Sequence, residues 1–352
     1  MQTLPPNPTP QKWYRLPLPG CVAANGQPYN ASFKLGAPNR ILVNFFGGGL
    51  SWNETTAALP ITIPGFLTGK EQFYIPAVTP FQMNFIHLGL LSPRDRRNPF
   101  RDYTILNLPY STADFHMGNS DYAYKDAKGE SRVLYHHGVK NARAALAALK
   151  QRLPHTPDTL VIMGQSAGAF GCVALAPMVQ QMYPDCKQVA VCSEGSHLYA
   201  PIWAQTVNQV WQADPGLGAY IRSHDLIEDL FRYAQDHMPP GTLFMHSNSV
   251  YDGVLAKYMY KMNHGAMEIS PASLKEFHDT LLDVVRGLKS SMANYSYYLT
   301  DYGRKRNGAT PHVFSGSPKL VYSEMQDGVP LVEWLAKGIA GAPVDVGAKF
   351  LN

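Results

Sequence analysis

The stretch Gly164-Gln165-Ser166-Ala167-Gly168 follows directly on an apolar, partly β-branched run at 159–163. A short buried strand suits that run. G-x-S-x-G after a strand and before a small-residue helix start marks a sharp turn that exposes a serine in a strained backbone position. The main-chain N–H of Ala167, at the start of the following helix, is placed to stabilise an oxyanion forming beside Ser166. The chemistry suggested is nucleophilic attack by a serine hydroxyl. Such a hydroxyl is a poor nucleophile by itself and needs a base, and the base needs an acid to fix its tautomer.

In a fold of this kind the acid and then the base follow the serine along the chain. Asp252 stands after an apolar run in HSNSVYDG, whereas Asp214, Asp225 and Asp229 fall in helical or Gly-rich segments. Downstream histidines are His197, His224, His237, His246, His264, His278 and His312. Only His312, in GATPHVFSGSP, sits in a loop bounded by Pro and Gly near the end of the chain. Chain order therefore favours Asp252 and His312, although Asp252 also suits a plain turn with Gly253 and the other histidines stay in contention. A second oxyanion donor is expected from Gly47-Gly48-Gly49, which ends the apolar run 40–46. Glycines there let the backbone approach a substrate closely.

These residues need a scaffold. Apolar runs at 40–46, 103–108, 159–163, 187–192 and 242–247 read as strands. Between and after them, 131–150, 200–238, 271–300 and 329–340 carry helical patterns. Alternation of this kind predicts an α/β fold, a mostly parallel sheet with helices on both faces, whose site lies beyond the carboxyl ends of the strands. Residues 1–20 are Pro-rich and read as an extended arm, with 21–352 forming one catalytic domain. The stretch 54–100 is rich in Pro, Gly and Thr and lacks periodicity, so it reads as a long insert over the site, with a second insert at 200–240.

Composition narrows the function. The 352 residues carry 45% hydrophobic and 16% charged side chains and a net charge of +4. The basic patches Arg94-Asp95-Arg96-Arg97 and Arg304-Lys305-Arg306 are not interleaved with aromatics, so a nucleic-acid partner is not expected. No run is long and apolar enough for a membrane span, and the N-terminus lacks the pattern of a signal peptide. The cysteines Cys21, Cys172, Cys186 and Cys192 lack C-x-x-C spacing, which argues against a zinc site. One disulfide and four buried thiols both fit.

In order along the chain, FFGGGLSWN, LPYSTADFHMGN, YHHGVKNARAALAALK, GQSAGAFG, VAVCSEGSHL, SNSVYDG and TPHVFSGSP with DGVPLVEWL resemble the ordered motifs of the pectin acetylesterase/Notum family of serine carboxylesterases. The series spans roughly residues 20 to 340. The resemblance implies an α/β-hydrolase fold with lid-like insertions, Ser166 as nucleophile, Asp252 as acid and His312 as base. It implies an oxyanion hole from the N–H groups of Gly48, Gly49 and Ala167. Trp52, Phe115, His116 and Glu194 fall in the matching segments and are expected to touch substrate. No cofactor or metal is implied. O-acetylated carbohydrate is the leading substrate class, with other small, aromatic or polyester-type esters next. A binding protein that has lost turnover, or an acyltransferase, would use the same residues. A secreted or periplasmic setting is implied as well. The chain departs from the family pattern at Phe46, where the family has Glu, at Gln165, where it has Cys, and at Glu194, where it has Asp. Phe46, with Trp52 and Phe115 nearby, points to an entrance more apolar than a sugar-binding cleft.

Overall fold

In the computed structural model, which describes residues 1–84, 86–126 and 128–352, an eight-stranded sheet carries the molecule. Phe85, within the expected 54–100 insert, lies outside the described residues. The strands are β1 (Trp13–Val22), β2 (Pro28–Lys34), β3 (Ala37–Phe45), β4 (Tyr103–Leu108), an added hairpin of β5 (Ser120–Lys125) and β6 (Ser131–His136), β7 (Thr159–Gln165), β8 (Gln188–Glu194), β9 (Leu243–Ser249) and β10 (Tyr295–Thr300). Their order in the sheet is β1-β2-β4-β3-β7-β8-β9-β10. β1, β2 and β4 pair antiparallel and every later pair is parallel. This is the α/β-hydrolase arrangement expected from the sequence.

The central strands are buried along their length because both sheet faces are covered. One face packs Ile41, Val43, Leu160 and Ile162 into the larger core. The other packs Leu42, Ile105, Val161 and Met163 against Trp334 and Leu335 of the closing helix Leu331–Ile339. Each such aliphatic side chain contributes about 1.5–3 kcal/mol when fully buried.

Three stretches differ from the sequence reading. Residues 13–22 are not an arm outside the catalytic domain but the edge strand of its sheet, paired with β2. Pro17 is tolerated there because the side of β1 away from β2 is bonded at Arg15, by Gln2 and Leu4, and not at Pro17. The pattern at 131–150 divides into strand β6 and the helix Gly138–Arg152. The pattern at 271–300 divides into the helix Pro271–Ser291 and the last strand, β10. All four cysteines are free and buried. Among the described residues no helix is long and apolar enough to cross a membrane.

The excursion after β3 holds the short helices Glu54–Ala57 and Ile63–Leu67 and two 3₁₀ turns, Gln82–Asn84 and Gly89–Leu91. Main-chain bonds hold it at two points along its path. Near its middle, Leu50 N–H donates to the Phe73 carbonyl and Ile75 N–H to the Gly48 carbonyl. Near its end, Leu90 N–H donates to the Ser315 carbonyl, and His87 stacks on Trp13.

Candidate active site

β7 ends at Gln165, and the helix Ala167–Ala174 begins one residue later. Ser166 between them has φ 55° and ψ −127°, a region that a non-glycine residue occupies only under constraint. The constraint is steric closeness. A Cβ on Gly164 would lie 2.0 Å from the Gly168 carbonyl oxygen, and one on Gly168 would lie 2.0 Å from the Phe45 carbonyl oxygen. The turn is thus pressed against its own helix and against the end of β3, where the glycine triplet begins. A Cβ on Gly47 would lie 2.6 Å from that of Ser166 and 3.2 Å from the Ala167 nitrogen. The glycine loop therefore borders the nucleophile directly.

Within that loop Gly49 has φ +84° and sits over the Phe73 carbonyl, where no side chain fits. The Gly48 carbonyl is taken by Ile75 N–H. No acceptor is recorded among the described residues for the N–H groups of Gly48, Gly49 or Ala167. Free N–H groups beside a serine are what an oxyanion hole requires. Behind the loop, His116 Nε2 donates to the Phe46 carbonyl at 3.0 Å. Burial pushes the His116 pKa down to about 4, so the ring is neutral.

Asp252 follows β9 and caps the helix Gly253–His264. Its Oδ1 accepts from Val254 N–H at 2.8 Å and Leu255 N–H at 2.9 Å. Its Oδ2 accepts from His312 Nδ1 at 2.5 Å. The His312 loop is held to the same place by main-chain bonds: Thr310 N–H donates to Tyr251 and Gly253 N–H to Thr310. His312 Nε2 is buried and has no partner among the described residues. Burial pushes the His312 pKa down, but the charge and hydrogen bond of Asp252, with the charge of Glu194, more than offset it, and the net shift is upward.

Beside Phe46 and Gly47 the excursion leaves a cavity of about 240 Å³, walled by Ile75, Val78, Gln82 and Ile86. A larger groove of about 480 Å³ lies at the opposite ends of the strands, at Gln188, Leu243 and Tyr295, away from Ser166. No family model matches the sequence, and a search of curated proteins returns no match. Among solved structures, the chain matches the Wnt deacylase Notum from Drosophila with a TM-score of 0.60 and 14% identity, over 93% of this chain and 92% of that one. The fold is that of Notum.

Within this Notum-like frame, the four residues expected to touch substrate stand behind the site instead. Phe115 is 1% exposed and stacks on Phe170 at 4.3 Å, backing the nucleophile helix. Trp52 packs edge-on to Phe73 at 5.1 Å in the core. His116 is buried under the glycine loop, and Glu194 is buried at the end of β8. Each is buried in packing or held by hydrogen bonds. Phe46 does line the cavity, as its type suggested. Sequence reasoning missed Ile75, Val78 and Ile86, whose non-periodic segment gives no sign of which side chains turn inward. Asp114, which the sequence places after the strand at 103–108 among the residues one site could gather, is buried here, and its carboxylate accepts from Thr112 Oγ1 and from the N–H groups of His116, Gly118 and Gly138. Burial pushes that carboxyl up to about 7 against those four bonds. Its role is to tie the loop under the glycines to the helix Gly138–Arg152.

Proposed function

We propose that the chain is a cofactor-free serine carboxylesterase. The observation that carries this reading is the His312 imidazole, bonded through Nδ1 to buried Asp252 and with no partner recorded for Nε2 among the described residues, on a loop that Glu194 joins to the strained turn of Ser166. Ser166 Oγ attacks the ester carbonyl and His312 Nε2 takes its proton. The N–H groups of Gly48, Gly49 and Ala167 hold the tetrahedral oxyanion. His312 then protonates the leaving alkoxide, and a water activated by the same nitrogen releases the acid.

The substrate we infer is an ester with one compact apolar branch. Among the described residues, Phe46, Ile75, Val78 and Ile86 leave Gln82 as the one polar side chain on the cavity wall. Its volume is below the roughly 300–1,000 Å³ of sites that hold a whole drug-sized ligand, which fits a single acyl or aromatic group. Acetylated carbohydrate, the class the family resemblance implies, offers this wall only a methyl group. A panel of acetylated sugars against p-nitrophenyl esters of rising chain length separates the two. The assignment of chemistry is tested by a fluorophosphonate probe: wild type labels at Ser166 and Ser166→Ala does not. An unlabelled wild type would indicate a binding protein, and product transfer to added alcohol in preference to water would indicate an acyltransferase.

A further inference from the structure

We propose that Glu194 is a positioning residue for the esterase reaction, fixing the nucleophile turn with its main chain and the base loop with its carboxylate. The proposal rests on the serine esterase reading above. Glu194 is the last residue of β8 and lies opposite Gln165 in the parallel ladder. Its carbonyl accepts the N–H of Ser166 at 2.8 Å, so the ladder continues one step past the end of β7 into the strained turn. The side chain reaches the other way. Its Oε1 accepts from Phe314 N–H at 2.6 Å and Ser315 N–H at 3.1 Å, and Oε2 lies 3.2 Å from the Ser315 nitrogen. Phe314 and Ser315 follow His312 by two and three residues. One residue thus sets where nucleophile and base stand relative to each other. The Ser315 carbonyl in turn accepts from Leu90 N–H, which joins the excursion to the same clamp.

A carboxylate at 5% exposure is costly to bury, and no ion pair with Lys or Arg is recorded for it among the described residues. A neutral acceptor would hold the loop at lower cost. The charge has a second use. Asp252 and Glu194 are the two charged groups acting on the His312 imidazole, and both favour its protonated form. That is the form His312 takes once it has received the serine proton, so a negative Glu194 lowers the barrier as well as aligning the loop.

Length and charge can be separated by substitution. Glu194→Gln keeps the length and one acceptor oxygen but removes the charge. Glu194→Asp keeps the charge but is one methylene too short to reach Phe314 and Ser315. The readout is the pH profile of kcat/KM with p-nitrophenyl acetate, with the melting temperature in parallel. Glu194→Gln is expected to move the midpoint down by roughly half to one pH unit and lower the alkaline plateau about tenfold. Glu194→Asp is expected to leave the midpoint near wild type and lower the plateau by at least tenfold through loss of alignment. A role in folding alone would lower the melting temperature without moving the midpoint. An unmoved midpoint with a plateau within twofold of wild type in Glu194→Gln overturns the proposal. Ser166→Ala is run beside them. Full activity in that variant overturns the esterase reading and this proposal with it, whereas an inactive Ser166→Ala with an unaltered Glu194→Gln overturns this proposal alone.

Discussion

Asp252→Asn is the most informative single change, because the two oxygens of Asp252 do different work. Oδ1 caps the helix Gly253–His264 through two N–H bonds, and Oδ2 orients His312 through Nδ1. An asparagine has one acceptor oxygen to serve both tasks. If the amide oxygen stays on Val254 and Leu255, the NH₂ faces His312 Nδ1 and donates to it. The imidazole then carries its proton on Nε2 and cannot accept one from Ser166. The expected loss is on the order of 10⁴ in kcat, with the fold intact. If the amide turns its oxygen toward His312, the cap is lost instead. That costs about 0.5–2 kcal/mol of stability and restores part of the activity. Both outcomes remove the charge that raises the His312 pKa. The assay pairs kcat for p-nitrophenyl acetate with a urea melt of the same preparation. A variant within tenfold of wild-type kcat and unchanged in its urea midpoint would refute the double role of Asp252.

Ser166→Ala should lower kcat by roughly 10⁶ while keeping the wild-type circular dichroism spectrum, since it deletes one hydroxyl from a main-chain-held turn. With a neutral imidazole required, kcat/KM should fall as pH drops through a His312 pKa above the ordinary value of about 6.5, level off on the alkaline side, and be unchanged by a chelator. The same raised pKa contributes stability that is present in acid and lost as pH climbs through the folded value, which a pH series of melts would detect. Val78→Asp, which sets a charge in the apolar cavity, should raise KM for esters with a long or aromatic branch while leaving kcat for the acetate within about threefold; equal effects on both would move the substrate elsewhere. Phe115→Ala should destabilise by about 3–5 kcal/mol through the cavity left against Phe170, with kcat per folded molecule close to wild type.

The parts of the site legible in the sequence are those whose chemistry is local. A serine forced into a strained turn needs small residues on both sides, and a Cβ added to Gly164 or Gly168 would lie 2.0 Å from a carbonyl oxygen. A loop that turns its N–H groups toward a substrate needs glycines, and Gly47-Gly48-Gly49 announce it. The sheet was legible where strands are apolar throughout, as in β3, β4, β7 and β8. It was obscured where strands lie at the edges. In β1, Pro17 and Pro19 resemble a loop, yet a proline without an N–H is harmless on an outer strand whose side away from β2 is bonded at Arg15 and not at the prolines. β10 follows its helix after a turn of three residues, and its Tyr and Leu continue the apolar pattern of that helix.

Roles in substrate binding were not legible because neighbourhood in sequence does not decide which way a side chain points. Phe115 and His116 both have positive φ, which reverses the chain beneath the glycine loop and turns these rings inward, against Phe170 and the Phe46 carbonyl. The wall of the cavity comes instead from Ile75, Val78 and Ile86, thirty to forty residues after Phe46 and without a period of 2 or 3.6 to single them out. Those side chains sit on an excursion whose main-chain bonds at Phe73, Ile75 and Leu90 go to the loops of Leu50, Gly48 and Ser315. The acid–base pair rests on strand ends and a helix cap that the excursion does not form. On the proposed reading, substitutions at Val78 or Ile86 are expected to change which ester fits while keeping the Asp252–His312 bond. On the proposed reading, the motifs that point to the chemistry of attack carry no information about the choice of substrate.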